Sequence, residues 1–243
     1  MVDNEKEEYL LENRRIQKLD KYGKSALIKE YLARVIIVFI LVSTSGTWTW
    51  INIWIYAALA TLTSVLVHLF VIRVNPSLYN ERGNLRENTK KWDLIWVRVY
   101  ALISYSSIII AGLDKKNSWS SLGNGWIIPG GILIILSGVL ATWAMAENNY
   151  FSSVVRIQDD RGQTVITSGP YQYIRHPGYL GAILYYIGTP MVLDSWISFF
   201  PALIIIIGFI FRIQFEERTL KEELDGYERY TQKVEYRLIP GIW

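Results

Sequence analysis

Apolar and polar positions along this 243-residue chain fall into long blocks and do not alternate residue by residue. Apolar runs near 20 residues recur, the length that carries an α-helix across roughly 30 Å of hydrocarbon. Lipid offers the backbone no hydrogen-bond partner, so such runs must be helical, and the period-two pattern of barrel strands is absent. The blocks predict spans at about Tyr31–Ser45, Ile51–Val74, Trp92–Gly112, Trp126–Ala146, Gly178–Val192 and Ile197–Ile213. The first is short unless it borrows residues upstream. Before it, residues 3–30 mix acids and bases around Tyr9, Leu10, Ile16, Leu19 and Tyr22, a spacing that suits a helix lying on the headgroups. The predicted fold is all-α: a polytopic integral membrane protein of about six transmembrane helices.

Charge then orients the spans. Lys and Arg concentrate in the amino-terminal segment, in residues 75–91 and 147–177, and in the tail, whereas the opposite loops carry Lys115 and Lys116. By the positive-inside rule both termini and the large loops face the cytoplasm. The charged first thirty residues speak against a cleavable signal peptide. A net charge of +3 with mixed signs gives no reason to expect nucleic acid. The chain has no cysteine and two histidines, which argues against a metal site. Two regions follow: residues 1–146, with the headgroup helix and four spans, and residues 147–243, where the polar chemistry gathers.

That chemistry centres on Ser168–Gly181, reading SGPYQYIRHPGYLG. Arg175, His176, two prolines and three glycines sit where one apolar block gives way to the next. The hairpin of the last two spans brings this stretch toward Arg212 and Glu216, which lie one helical turn apart. Taken alone, Arg212 and Glu216 read as an ion pair closing a helix end, and a histidine before proline reads as a loop residue satisfied by backbone. Together, opposite a loop rich in glycine and proline, they read as a ligand site at the cytoplasmic edge. Tyr173 suits interfacial anchoring as well as a ligand wall, and His68, inside the second span, reads as a packed histidine. Gly178 and Gly181 would let backbone approach a ligand. The GxGxxG, P-loop and GxSxG elements are all missing.

RHPGYLG, preceded by Gly169-Pro170-Tyr171 and followed by an apolar hairpin and Arg212…Glu216-Glu217, resembles the isoprenylcysteine carboxyl methyltransferase family, which includes phospholipid N-methyltransferase relatives. The resemblance covers about Glu147 to Trp243 and, less sharply, Asn75-Pro76 and Glu81-Arg82-Gly83. It implies a membrane enzyme that takes a methyl group from S-adenosyl-L-methionine on the cytoplasmic side and passes it to a lipophilic acceptor entering from the bilayer lipids. By position, His176, Pro177, Gly178 and Tyr179 match the family's cofactor-binding stretch, Tyr171 its upstream tyrosine, and Gln163, Thr164, Val165 and Ile166 the segment bordering the cofactor. Glu216 falls on a cofactor-binding glutamate, Arg212 on a substrate-contacting arginine, and Arg156 on a further cofactor contact. The closing YRLIPGIW is closer to prokaryotic relatives, which implies a prokaryotic plasma membrane.

Elementary chemistry agrees with this implication. Displacement at a sulfonium by a carboxylate needs no metal, covalent intermediate or general base, only alignment of the two partners. An amine acceptor would need a base, and Glu216 or Glu217 could serve. Two other classes stand beside the methyltransferase: an NADPH-dependent reductase of the sterol type, and a scaffold or transporter. Polar residues clustered at one membrane edge fit a transport path poorly.

Overall fold

The computed structural model describes residues 18–82 and 89–243, and helices are numbered among those residues. Every regular element there is helical: α1 (Lys21–Ser45), α2 (Ile51–Val74), α3 (Ser77–Arg82), α4 (Lys91–Asn117), α5 (Ile127–Glu147), α6 (Pro177–Val192), α7 (Phe199–Glu223) and α8 (Tyr227–Lys233). Single 3-10 turns occur at Asn124–Trp126, Asp159–Arg161 and Gly169–Gln172. Four stretches are long and apolar enough to cross a membrane: Ile51–Val74, Lys91–Asn117, Asn124–Glu147 and Phe199–Glu223. The other two expected spans are helices as well, but α1 carries Lys24, Lys29, Glu30 and Arg34 in its first half, and α6 has 16 residues.

Two boundaries differ from the sequence reading. Residues 21–30, expected in a separate headgroup helix, are the first turns of α1. Asp20 starts that helix, its carboxylate accepting a hydrogen bond from the Gly23 N–H at 2.8 Å. The earlier part of the expected headgroup helix lies outside the described residues, as does Gly83. At the other end, α7 does not stop near Ile213 but runs on to Glu223. Good helix formers and an Arg218–Glu222 pair at 2.9 Å let helicity outlast apolarity there.

Helices α5 and α6 pack against each other most extensively, and small residues set their approach. A Cβ on Gly188 would stand 2.6 Å from the Gly130 carbonyl oxygen, closer than any real contact. Gly188→Val is therefore expected to cost about 3 kcal/mol or to block folding. Gly131→Ala, whose new carbon would meet only Leu59 at 3.3 Å, should be tolerated. Thermal unfolding in detergent separates the two. Helix α2 is tied to this pair by Asn52, which donates to the Val192 carbonyl at 2.8 Å, and by a 2.6 Å bond between the Tyr56 and Tyr185 hydroxyls.

One end of the bundle is closed by two aspartates. Buried Asp114 accepts from the Ser120 N–H at 2.7 Å and from the Ser195 hydroxyl at 2.5 Å. Asp194 accepts from the Leu122 and Gly123 N–H groups at 2.6 and 2.8 Å. His68 is packed, as expected, between the Tyr31 hydroxyl at 2.8 Å and Glu30 at 3.2 Å. The opposite end of the bundle is open, and the site lies there.

Candidate active site

A cavity of about 440 Å³ opens at this end, walled by α4, α6 and α7, by the segment between α5 and α6, and by α8. All the expected site residues border it. Arg156, Gln163, Thr164, Val165, Ile166 and Tyr171 come from the segment before α6, His176 to Tyr179 from the start of α6, and Arg212 and Glu216 from α7. Tyr173 does not border it and is 62% exposed, which fits the anchoring role.

Arg212 and Glu216 do not pair with each other, so the bland reading of a closed helix end does not hold. Arg212 instead grips Asp93 in the first turn of α4, Nε to Oδ1 at 2.7 Å and Nη2 to Oδ2 at 3.0 Å, and Nη2 also donates to the Ser153 carbonyl at 2.9 Å. Its guanidinium lies 5.5 Å from the centre of the Tyr179 ring. Asp93 is fully buried, and its Oδ2 also accepts from the Val155 N–H at 2.7 Å. Sequence reasoning missed Asp93. The available signal was an acid at the head of an apolar block, a position lipid would penalise without a partner. Glu216, released from Arg212, accepts from the Tyr179 hydroxyl at 2.5 Å.

The neighbouring acid has a different surrounding. Residues one apart on a helix point about 100° from each other, so Glu217 faces away from Glu216 and into protein. It is buried against three cationic or ionisable groups: Arg175 Nε at 2.5 Å, Arg237 Nε at 2.7 Å and His176 Nε2 at 3.2 Å. Arg175 continues to the Val234 and Glu235 carbonyls at 2.6 and 2.8 Å, and the Arg175 and His176 N–H groups donate to Tyr236 and Arg237. Glu217 thus pins the tail beneath the cavity, with His176 between.

Other expected residues have structural partners of their own. Arg156 bridges Glu81 and Asp160, each at 2.9 Å. The Gln163 side-chain oxygen is taken by the Gln158 N–H at 2.7 Å. Gly178 borders the cavity, where an added carbon would strike the Phe151 ring at 2.7 Å. Gly181, expected to approach a ligand, instead seats α6 on α5, where an added Cβ would meet the Ser137 carbonyl oxygen at 3.1 Å. Tyr171, Tyr227 and Tyr230 form an aromatic floor in which burial pushes each phenol up, so all three stay protonated donors near neutral pH. Tyr230 donates to the Tyr171 carbonyl at 2.8 Å, but the buried Tyr227 hydroxyl has no partner among the described residues.

The sequence has relatives. A family model described as phospholipid methyltransferase matches residues 126–225. A probable protein-S-isoprenylcysteine O-methyltransferase of Oryza sativa subsp. japonica is 28% identical over 154 residues, covering 61% of this chain and 80% of the relative. A protein-S-isoprenylcysteine O-methyltransferase of Schizosaccharomyces pombe is 35% identical over 142 residues, covering 57% and 56%. Protein-S-isoprenylcysteine O-methyltransferase B of Arabidopsis thaliana is 27% identical over 138 residues, covering 55% and 67%.

Proposed function

We propose that the chain is a member of the isoprenylcysteine carboxyl methyltransferase family and that it transfers the methyl group of S-adenosyl-L-methionine to the carboxylate of a membrane-embedded, isoprenylcysteine-like lipid. One observation carries the reading: a single cavity holds both a cofactor-type end, with Glu216 and tyrosine walls, and an arginine fixed at the edge of an apolar helix bundle. A volume of about 440 Å³ is within the range of small-molecule sites, roughly 300–1,000 Å³.

The residues present fit the cofactor. Glu216 suits its hydroxyl or amino groups, and Tyr171, Tyr179 and Phe151 offer ring faces for adenine or for a sulfonium cation. Pro177, Gly178 and Tyr179 stand in the first turn of α6, so the positive end of that helix faces the cavity, where a carboxylate is favoured. The orphaned Tyr227 hydroxyl gives the same indication from below. Gln163 to Ile166 border the cofactor, His176 seats α6, and Arg156 holds the loop above. When bound, the cofactor supplies an electrophilic methyl on a positively charged sulfur. Arg212 would hold the acceptor carboxylate against that methyl, and the sulfur would keep the S–CH3 bonding pair. No residue has to accept a proton. The protein's task is alignment and exclusion of water, worth up to ~7–11 kcal/mol in ideal cases.

In this reading six helices cross the bilayer, with α1 and α6 joining the four long apolar spans. The cavity end faces the cytoplasm, because nearly all Lys and Arg gather at that end and the Asp114–Asp194 end carries only Lys115 and Lys116. Residues 147–243 make the cofactor core and residues 1–146 the membrane support. The phospholipid methyltransferase match favours one second reading, N-methylation of a lipid amine. Labelled cofactor incubated with membrane extract distinguishes them: base-labile methanol release marks an ester, and its absence an N-methyl product.

Two measurements follow. S-adenosylhomocysteine at about a hundred times its Kd should stabilise the protein by about 2.7 kcal/mol, seen as a rise in Tm of several degrees in detergent. Stabilisation by NADP alone would favour a reductase. Tyr227→Phe should leave the Tm of the ligand-free protein unchanged or slightly raised, since it removes a buried unpaired donor, and should weaken S-adenosylhomocysteine about fivefold in calorimetry.

A further inference from the structure

We infer that Asp93 is a positioning residue that turns one corner of Arg212 toward the acceptor, making that corner selective for a carboxylate over its neutral ester. The inference rests on the methyl-transfer reading and deepens it. Asp93 is fully buried at the head of α4, where an ionised carboxylate is stable only if its oxygens are well bonded. They are: Oδ1 takes Arg212 Nε, and Oδ2 takes Arg212 Nη2 and the Val155 N–H. Arg212 therefore has one edge committed to Asp93, with Nη2 further held by the Ser153 carbonyl.

The remaining nitrogen, Nη1, makes no hydrogen bond among the described residues, yet its side chain borders the cavity. A free arginine can rotate and meet an anion through any edge. Here the side-on edge is used up, so the acceptor meets a single corner held over the Tyr179 ring at 5.5 Å. Asp93 also ties α4 to the 153–155 segment through the Val155 N–H, so the same carboxylate fixes the wall from which Ser153 reaches Arg212. A charged donor with one free corner discriminates an anionic oxygen from an ester oxygen, because only the anion gains a charge-assisted bond.

The test uses full-length protein in lipid–detergent micelles and three probes: S-adenosylhomocysteine, S-farnesylcysteine, and the methyl ester of S-farnesylcysteine. Wild type is expected to bind the acid about tenfold tighter than the ester. Asp93→Asn should bring that ratio to within about twofold of unity while S-adenosylhomocysteine affinity changes less than about twofold. Asp93→Glu, which keeps the charge, should recover part of the ratio. An Asp93→Asn protein that keeps the wild-type acid–ester ratio overturns the inference, as does a wild type with no preference for the acid. Should Asp93→Asn fail to fold, an Asp93→Glu protein with the full wild-type ratio overturns it instead. Failure of the methyl-transfer reading looks different: wild type then binds no S-adenosylhomocysteine and forms no methyl ester, whatever ratio the Asp93 variants give.

Discussion

Replacing Glu217 with alanine is expected to remove about 3–5 kcal/mol of stability and to abolish S-adenosylhomocysteine binding. The side chain is buried, and its two oxygens are shared among Arg175, Arg237 and His176. Truncation would leave two guanidinium groups facing each other with no counter-charge. Arg175 also secures the Val234 and Glu235 carbonyls, so the damage would spread to the tail segment that supports His176. Glu216→Ala is the matching control. It loses one partner, the Tyr179 hydroxyl, and borders the cavity, so it should keep its Tm and lose cofactor affinity. Thermal unfolding of both variants, with and without S-adenosylhomocysteine, decides the matter. Equal Tm values for the two would refute the division of labour between these adjacent acids.

Arg212→Met is expected to lower methyl transfer at least about 100-fold and, unlike an ordinary binding-site change, to destabilise the protein by about 3 kcal/mol. The second effect comes from Asp93, left as a fully buried carboxylate without its cation. Asp93→Leu alone should cost a similar amount by stranding Arg212. The double variant Asp93→Leu/Arg212→Met should cost much less than the sum, because neither charge then remains buried alone. A double-mutant cycle on Tm measures this, and additive losses would show that the pair is not energetically coupled. Activity should stay low in the double variant even where stability returns.

Much of the architecture was legible from apolar blocks, since a run such as Ile51–Val74 has one solution in lipid and became α2 residue for residue. Which residues border the cavity was legible in part too, from the RHPGYLG stretch and the helical spacing of Arg212 and Glu216. What the sequence did not convey were partners distant along the chain. Asp93 lies 119 positions from Arg212, and no local pattern links them. Glu216 and Glu217 look interchangeable as letters, whereas the helix sends one toward the cavity and the other into an arginine cluster. The end of α7 was misjudged because apolarity marks where lipid stops, not where hydrogen-bonded helix stops. Gly181 was misread because a glycine spaced for ligand approach looks identical to one spaced for helix contact.

Helix α7 carries Arg212, Glu216 and Glu217 within one unbroken rod from Phe199 to Glu223. The offset between Arg212 and Glu216, the acceptor grip and the cofactor carboxylate of the proposed reading, is therefore a fixed length, about 6 Å along the axis at the helical rise. Such a rod works as a gauge, because breathing of the loops changes access without changing that distance. It also makes the interval intolerant of indels. A single residue inserted between Ile213 and Phe215 would swing the following acids by about 100°, carrying Glu216 to the place of the latch and Glu217 out of it. Length changes around Ser118–Gly123, at the far end of the bundle, would leave the gauge untouched.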